Sequence, residues 1–374
     1  MDNLLNPEAV AALQCSLSAA APVPGLGALA DCVPLLDALS LRGRTDLLAG
    51  VLTEAYSGYP EAAAAYRGAL KDPAFKGWAM WPVTESAVTL ALAAESAEYF
   101  DDALALLAEL TPRLTSEFAI RRLLAADLDR ALGVIQGWTA DPDPQVRRLA
   151  SEGTRPYLPW AVRVPALLGM PEATLPILDA LRDDPSEDVR RSVANHLNDI
   201  SRHAPRVAVR TAARWQETAT PVTGRVVRHG LRTLIKRADA DALALLGFAP
   251  AQVEVQGPES PTASVALPGS LEFRAVLRNT SASRTRLAVD YVIHYVKANG
   301  GSAPKVFKLA VLELAPGESR TVTGSHAFRQ MTTRRHYAGQ HVLELQVNGV
   351  RHGHLAFEVE HGQPAQPGPS AQRS

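Results

Sequence analysis

A short motif recurs along this chain at the spacing of a helical repeat. The segment Asp141–Ala150 resembles Asp184–Val193, and their Val-Arg-Arg cores begin at Val146 and Val189, 43 residues apart. A weaker copy, Val-Arg-His, begins 38 residues later at Val227. Both spacings are near the period of about 40–47 residues of HEAT-type helix pairs. Such pairs stack into a curved solenoid whose equivalent helices lie side by side, so the copies are predicted to be neighbours.

Each copy lies in a segment that is predicted to form an amphipathic helix. Residues at i, i+4 and i+7 share one face of a helix, and helices with one apolar face pack through it and present the other face to a partner. On the three successive predicted helices the charged or amide residues that share a face are Arg148, Glu152 and Arg155; Asn195, Asp199, Arg202 and Arg206; and Arg225, Arg228, Arg232 and Lys236.

One stretch of these helices is strongly basic. From Ile200 to Ala238 there are nine Lys or Arg residues against one acid, Glu217, although the net charge of the whole chain is only -1. A local excess of this size favours a phosphate-binding surface, so nucleic acid is the predicted partner. A solvated helix face without a partner is the alternative interpretation.

The composition indicates a soluble protein of a reducing compartment. The chain has 374 residues, 47% of them hydrophobic, which predicts two or three domains. Cys15 and Cys32 form neither a metal-binding pair nor a disulfide framework. The N-terminal segment lacks the basic residues of a signal peptide, and no apolar run reaches the roughly 18 residues of a membrane span. We therefore predict a cytoplasmic protein without a membrane partner, associated with the nucleoid when it binds DNA.

The sequence changes character near Pro250. Before it, apolar residues recur every three or four positions, and after it they alternate at period two, as from Phe273 to Tyr295. The segment Val347–Val350 contains Asn-Gly, which is typical of a type I′ hairpin turn. We predict a HEAT-like α-solenoid over residues 1–250 and an immunoglobulin-like β-sandwich over residues 251–360. Residues 361–374, rich in Pro, Gln, Gly and Ser, are predicted to be disordered.

Motifs for other kinds of catalysis are missing from the sequence. There is no HExxH, P-loop, GxSxG or paired CxxC pattern. The glycine pattern at Gly25–Ala30 fits a dinucleotide fingerprint by its letters, but it follows Pro-Val-Pro rather than a strand, so we reject it. The prediction is a protein that uses neither a metal ion nor a cofactor.

Two carboxylates interrupt the basic faces. Glu152 lies between Arg148 and Arg155, and Asp199 lies beside Arg202. An acid on a DNA-binding surface repels phosphate, so its presence indicates another task, such as stabilising a developing cation. The simpler alternative is an ion pair within one helix, which contributes little to stability.

Several segments resemble a known family in order and spacing. Ser116–Arg122, Asp143–Pro156, Leu158–Trp160 and Val193–Ser201 are similar to the AlkC branch of the AlkD-like HEAT-repeat DNA glycosylases, and the resemblance covers about residues 1–250. The β region, including Thr332–Arg335, resembles the immunoglobulin-like extension of one AlkC subgroup.

This resemblance implies a monofunctional DNA glycosylase that initiates base-excision repair. Its substrates would be cationic bases alkylated at N3, chiefly 3-methyladenine and then 3-methylcytosine, captured within duplex DNA rather than flipped into a deep pocket. It implies that Glu152, Asp199 and Glu117 are the catalytic carboxylates and that Trp160 contacts the lesion. With the basic faces and the basic loop of the β region included, the predicted DNA-binding residues are Arg148, Arg155, Arg202, Arg206, Arg228, Arg232, Lys236, Arg334 and Arg335.

Two other functions remain open from the sequence. A noncatalytic nucleic-acid-binding protein would use the same basic surface, and substitution of Asp199 or Glu152 would then change only its affinity for DNA. A HEAT-type scaffold would bind a protein instead, and the basic stretch beside two acids argues against it. The predicted oligomeric state is a monomer.

Overall fold

The predicted change from helix to strand near Pro250 is confirmed. In the computed structural model, which describes residues 4–329 and 336–360, the last helix ends at Leu245 and the first strand begins at Val253. The chain divides into two compact units, Met1–Thr233 and Leu234–Ser374. The predicted disordered tail, residues 361–374, lies outside the described residues.

Helices and short 3-10 turns form most of the described chain before residue 250. None of the helices among the described residues is long and apolar enough to cross a lipid bilayer. The helices are α1 Pro7–Ala20, α2 Ala28–Asp31, α3 Leu41–Ala55, α4 Tyr59–Ala69, α5 Met80–Ala93, α6 Ala97–Leu110, α7 Ile120–Ala126, α8 Leu128–Gly137, α9 Pro144–Glu152, α10 Pro165–Gly169, α11 Leu175–Leu181, α12 Glu187–His203, α13 Pro205–Glu217, α14 Thr223–Gly230, α15 Arg232–Lys236 and α16 Ala240–Leu245.

The three motif copies are neighbours, as the repeat predicts. Helix α12 packs against both α9 and α14, and the apolar faces of all three helices are buried, with Leu149, Leu197 and Val227 fully enclosed. The first arginine of the Val-Arg-Arg motif also makes equivalent hydrogen bonds in its two copies. Arg147 Nη1 donates to the carbonyl oxygens of Asp141 and Pro142, and Arg190 Nη1 donates to those of Asp184 and Pro185. These bonds fix the turn that precedes each helix.

Each predicted charged face is interrupted, which corrects the sequence-based helix lengths. Helix α9 ends at Glu152, so Arg155 lies in the following loop, and α12 ends at His203, so Arg206 lies on α13. Pro205 explains the end of α12, because a proline disfavours the helical conformation of the residue before it, and Pro156 disfavours a helical conformation at Arg155 in the same way.

The third predicted helix is divided into α14 and α15. The break falls at Leu231, whose backbone is not helical (φ -93°, ψ 6°). Gly230 just before it lies so close to Leu197 on α12 that a side-chain carbon there would come within 2.7 Å of the leucine. Close packing of α14 on α12 therefore favours glycine at this point, and glycine weakens the helix.

The second unit contains a β-sandwich. The strands are β1 Val253–Glu259, β2 Ser264–Ala266, β3 Gly269–Asn279, β4 Thr285–Val296, β5 Ser302–Leu314, β6 Ser319–Phe328, β7 Gly339–Val347 and β8 Val350–Glu360. One sheet has the order β1-β3-β6 and the other β2-β8-β7-β4-β5, with β2 parallel to β8 and the other pairs antiparallel. Residues of both sheets, such as Phe273 and Leu343, share one hydrophobic core.

The predicted Asn-Gly hairpin turn is confirmed. Asn348 and Gly349 have φ values of 45° and 88° and connect the paired residues Val347 and Val350. Positive φ at both turn residues is the requirement of a type I′ turn. The Asn348 side chain is nearly buried, and its Nδ2 donates to the carbonyl oxygen of Ala249 at 2.7 Å.

The boundary between the compact units lies earlier than the change of secondary structure at residue 250. Residues 234–250, which include α16, pack with the β-sandwich. The guanidinium of Arg286 lies 4.8 Å from the centre of the Phe248 ring, and Gly349 lies against Ala238. A helical pattern in the sequence reports local conformation, and it does not show against which unit the helix is packed.

Candidate active site

Arg155 bonds both Glu152 and Asp199, the two acids that interrupt the predicted basic faces. Arg155 Nη1 donates to Glu152 Oε1 at 2.6 Å, and Arg155 Nε donates to Asp199 Oδ2 at 2.8 Å. All three residues are buried, with exposures of 8% for Arg155, 6% for Glu152 and 2% for Asp199. Helix α9 supplies Glu152, helix α12 supplies Asp199, and the loop after α9 supplies the arginine between them.

The third predicted acid joins the same network. Glu117 Oε2 accepts hydrogen bonds from Arg148 Nη1 at 2.9 Å and from Thr115 Oγ1 at 3.0 Å. Arg148 Nη2 lies 3.8 Å from Glu152 Oε1, which links the two halves. We call these five residues the carboxylate network: Glu117, Arg148, Glu152, Arg155 and Asp199. Its three carboxylates and two guanidinium groups leave one formal negative charge.

The three acids differ in the oxygens that remain available. Both oxygens of Glu152 are engaged, because Oε2 accepts from Ser192 Oγ at 2.6 Å. Asp199 uses only Oδ2, which also accepts from the Tyr157 backbone N–H at 3.3 Å. Within the described residues, Asp199 Oδ1 and Glu117 Oε1 accept no hydrogen bond, and neither is among the enclosed atoms that lack a partner. These two oxygens are the ones free to contact a substrate or a water molecule.

The charge of Arg155 is maintained by the acids around it. Burial alone would lower its pKa, but the hydrogen bond to Asp199 and the negative charges of Glu152 and Asp199 outweigh burial, so that the pKa is raised. A permanently charged bidentate donor fixes both acids in one geometry. Glu152 thus has both oxygens engaged, by Arg155 and Ser192, whereas Asp199 and Glu117 each keep one oxygen available.

The loop after α9 carries the predicted aromatic residue. Trp160 is 62% exposed, and its backbone has φ 62°, in the left-handed region that bulky residues rarely adopt. A strained backbone at an exposed aromatic side chain indicates a functional position. Leu158 and Val164, on either side, are buried and anchor the loop to the helical unit.

An aromatic residue surrounded by cations lies next to Asp199. The guanidinium groups of Arg163 and Arg202 lie 4.6 and 4.7 Å from the centre of the Tyr157 ring. His203 meets the same ring edge-on at 5.6 Å. Cation–π contacts hold these side chains in fixed positions, and Arg202 itself stays exposed.

The remaining predicted DNA-binding residues lie in several places. Arg206 and Arg228 are exposed, and Arg232 is half-buried with Nη2 donating to Asn195 Oδ1 at 3.1 Å. Lys236 is exposed and belongs to the second compact unit. The predicted residues Arg334 and Arg335 lie outside the described residues.

Arg155 differs from its prediction. The sequence placed it on the helix face that binds DNA, but the structure buries its guanidinium between two acids.

Two supporting residues were missed. Ser192 holds Glu152, and Arg121 on α7 is fully buried beneath the loop that carries Trp160. A polar residue among apolar helix positions was the available signal for each of them.

A buried histidine next to the network makes stability depend on pH. His196 Nδ1 donates to the carbonyl oxygen of Ser151 at 2.9 Å, and Nε2 faces Thr174 Oγ1 at 3.0 Å. Burial lowers the pKa of His196 from 6.5 to about 3. Below about pH 6.5 the unfolded chain therefore binds a proton that the folded chain excludes, and the free energy of unfolding falls as pH is lowered.

We expect the variant His196→Gln to lack this fall in the free energy of unfolding at low pH. The gap in unfolding free energy between wild type and variant should shrink below about pH 6.5, by up to about 1.4 kcal/mol per pH unit. Urea denaturation of both proteins between about pH 7.5 and pH 5 measures the gap. A gap that stays constant over this range would contradict a neutral buried His196.

The fold and the site together define a HEAT-like helical-repeat protein with a buried carboxylate network and a C-terminal β-sandwich. A family model described as the C-terminal Ig-like domain of the uncharacterised protein YhaZ matches residues 254–361. The uncharacterised protein YhaZ of Bacillus subtilis is 36% identical over 262 residues, which cover 70% of this chain and 72% of YhaZ.

A solved structure matches both units. The alkylpurine DNA glycosylase AlkC of Pseudomonas fluorescens, bound to DNA that contains an abasic site analog, superposes with a TM-score of 0.79 at 34% sequence identity. The match covers 96% of this chain and 99% of the AlkC chain. The chain therefore belongs to the family that contains AlkC and YhaZ.

Proposed function

We propose that this protein is a monofunctional DNA glycosylase that hydrolyses the N-glycosidic bond of cationic N3-alkylated bases in duplex DNA. The substrate would be chiefly 3-methyladenine, with 3-methylcytosine as a second substrate, and the enzyme would work as a monomer without a metal ion or cofactor. The observation that carries the proposal is the pair Glu152 and Asp199, held by Arg155, with Asp199 Oδ1 left free. Similarity to AlkC supports the reaction class.

The electrostatics of the network fit this reaction. An N3-alkylated base already carries positive charge, so it leaves as a neutral base and the sugar becomes an oxocarbenium-like cation. Preorganised carboxylates stabilise that cation more than the ground state, and only this difference accelerates the reaction. Asp199 Oδ1 and Glu117 Oε1 can contact the sugar or hold the attacking water. The network contains no lysine, so it offers no amine for the Schiff base of a lyase mechanism.

The other predicted residues fit a role in holding DNA. Trp160 presents an exposed aromatic face that could lie against the lesion, since aromatic rings stack on bases. The exposed cations Arg202, Arg206 and Arg228 are suited to the phosphate backbone. Because Asp199 and its partners are fixed before DNA arrives, the substrate would be selected by how readily its base leaves rather than by a tight pocket.

Base release from methylated DNA tests the proposal. Duplex DNA treated with a methylating agent is incubated with the protein, and the freed bases are separated by chromatography. We expect release of 3-methyladenine and an abasic strand that stays intact until it is treated with alkali. Release of no methylated base while DNA binding is retained would contradict the proposal and favour a noncatalytic DNA-binding protein.

A further inference from the structure

A fully buried arginine lies beneath the loop that carries Trp160. Arg121, on α7, has no exposed surface. Its Nη1 donates to the carbonyl oxygens of Arg155 at 2.7 Å and Gly153 at 3.0 Å, and its Nε donates to that of Val162 at 2.7 Å. One guanidinium group thus binds both ends of the segment Gly153–Val162, which we call the Trp160 loop.

Beyond the burial of Leu158 and a hydrogen bond from Arg163 Nη1 to the carbonyl oxygen of Pro156, few contacts order the tip of the Trp160 loop. Trp160 and Val162 are 62% and 48% exposed, so their side chains do not anchor the loop by burial. The backbone of Trp160 is also in a conformation that costs free energy, about 1–3 kcal/mol for a strained residue. Such a conformation persists only when its surroundings impose it. Arg121 imposes the positions of the backbone on both sides of Trp160.

The same loop also contributes to Asp199. The backbone N–H of Tyr157, between the two points that Arg121 holds, donates to Asp199 Oδ2. Arg155, whose carbonyl oxygen accepts from Arg121, supplies the guanidinium that joins Asp199 to Glu152. The position of the loop backbone therefore affects both Trp160 and Asp199.

Stability alone does not account for a charge at this position. Desolvation, together with the nearby charges of Arg163 and Arg155, lowers the pKa of Arg121 to about 10. Arg121 hydrogen-bonds no carboxylate, and Nη2 finds no hydrogen-bond partner within the described residues. Burying a charge without an ionic partner costs free energy, so a hydrocarbon would be favoured here if only volume were needed. What a hydrocarbon cannot do is bind three carbonyl oxygens in a fixed geometry.

We propose that Arg121 is a positioning residue that sets the Trp160 loop for base excision. It does not touch the substrate. It ties the two ends of the loop together, and thereby places Trp160 and the Tyr157 N–H that binds Asp199. The proposal rests on the proposed glycosylase function, and it assigns a task to a residue that lies outside the carboxylate network.

The variants Arg121→Lys and Arg121→Met test this role. Lysine keeps the charge but offers one donor group that cannot span Arg155 and Val162, whereas methionine keeps volume without charge. We expect both to lower the single-turnover excision rate about 100-fold, because small displacements of positioned groups have effects of this size. DNA affinity should stay within about threefold, since the exposed cations that contact phosphate are unchanged.

Arg44→Lys is the matched control. Arg44 is also buried and donates to backbone carbonyl oxygens, those of Leu39 and Leu5, away from the carboxylate network. Substitution of Arg44 should lower the melting temperature about as much as Arg121→Lys does, and it should leave the excision rate of the folded protein unchanged. An equal loss of excision in Arg44→Lys would mean that both effects come from general destabilisation, and would overturn the proposal.

Two further measurements separate the role of the loop from activity. In Arg121→Lys, hydrogen exchange of peptides that span residues 153–164 should be faster, while exchange in α9 and α12 stays slow. Trp160→Ala should lower the excision rate much less in the Arg121→Lys background than in wild type, because the effects of residues that act together are not additive. Unchanged exchange, additive costs, or a wild-type excision rate in Arg121→Lys would each overturn the proposal. If wild type releases no base, the proposed function fails, and the exchange measurement still decides whether Arg121 orders the loop.

Discussion

Asp199→Asn is expected to abolish detectable base release while DNA binding survives. The substitution keeps the shape of the side chain and removes its negative charge. It replaces one of the two carboxylate oxygens by an N–H donor, either at Arg155 or at the free Oδ1 position. A neutral amide cannot stabilise an oxocarbenium-like sugar as a carboxylate does. Loss of one preorganised electrostatic group typically costs about 100- to 1,000-fold in rate, and the central acid of this site should reach at least that.

Single-turnover release of 3-methyladenine, measured with enzyme in excess over DNA, gives the rate without product release. DNA affinity should be equal or tighter in the variant, because a charge that repels phosphate has been removed. The matched control is Asp184→Asn. Asp184 is also nearly buried and accepts from an arginine, Arg147, at 2.6 Å, but it belongs to the turn before α12. Wild-type release by Asp199→Asn, or equal loss in Asp184→Asn, would refute a catalytic role for Asp199.

Arg155→Met is expected to cause the largest loss of stability among single substitutions in the site. It leaves Glu152 and Asp199, exposed by 6% and 2%, without their shared cation. Removing one partner of a buried ion pair typically costs about 3–5 kcal/mol, because the remaining charge stays desolvated. Here two acids lose the same partner, so the upper end of that range is expected for the free energy of unfolding.

Urea denaturation near neutral pH measures the effect of Arg155→Met, and the slope against urea shows whether unfolding remains a single transition. Arg148→Met is the control, since Arg148 is partly exposed and pairs with Glu117, which is also partly exposed. It should cost about 1 kcal/mol or less. If Arg155→Met lowers the free energy of unfolding by less than about 1 kcal/mol, then Arg155, Glu152 and Asp199 are not held as a buried ion triad.

The sequence sufficed for much of the architecture. The 43-residue spacing of the Val-Arg-Arg motifs predicted adjacent helices, and α12 does pack against α9 and α14. The change from helical to alternating apolar periodicity located the start of the strands, and Asn348-Gly349 located a turn. These features depend on periodicity and on backbone preferences of single residues, which are local and therefore readable along the chain.

The contacts of the site were not readable in the same way. Glu152, Asp199 and Glu117 were predicted as site residues from the sequence. Spacing along a helix placed Arg155 on an exposed face, whereas it is buried between two of these acids. Arg121 reaches carbonyl oxygens more than 30 residues away along the chain. Pairings of this kind depend on which helices pack together and how closely. Sequence periodicity reports the faces of one helix, and only packing determines which buried charge meets which partner.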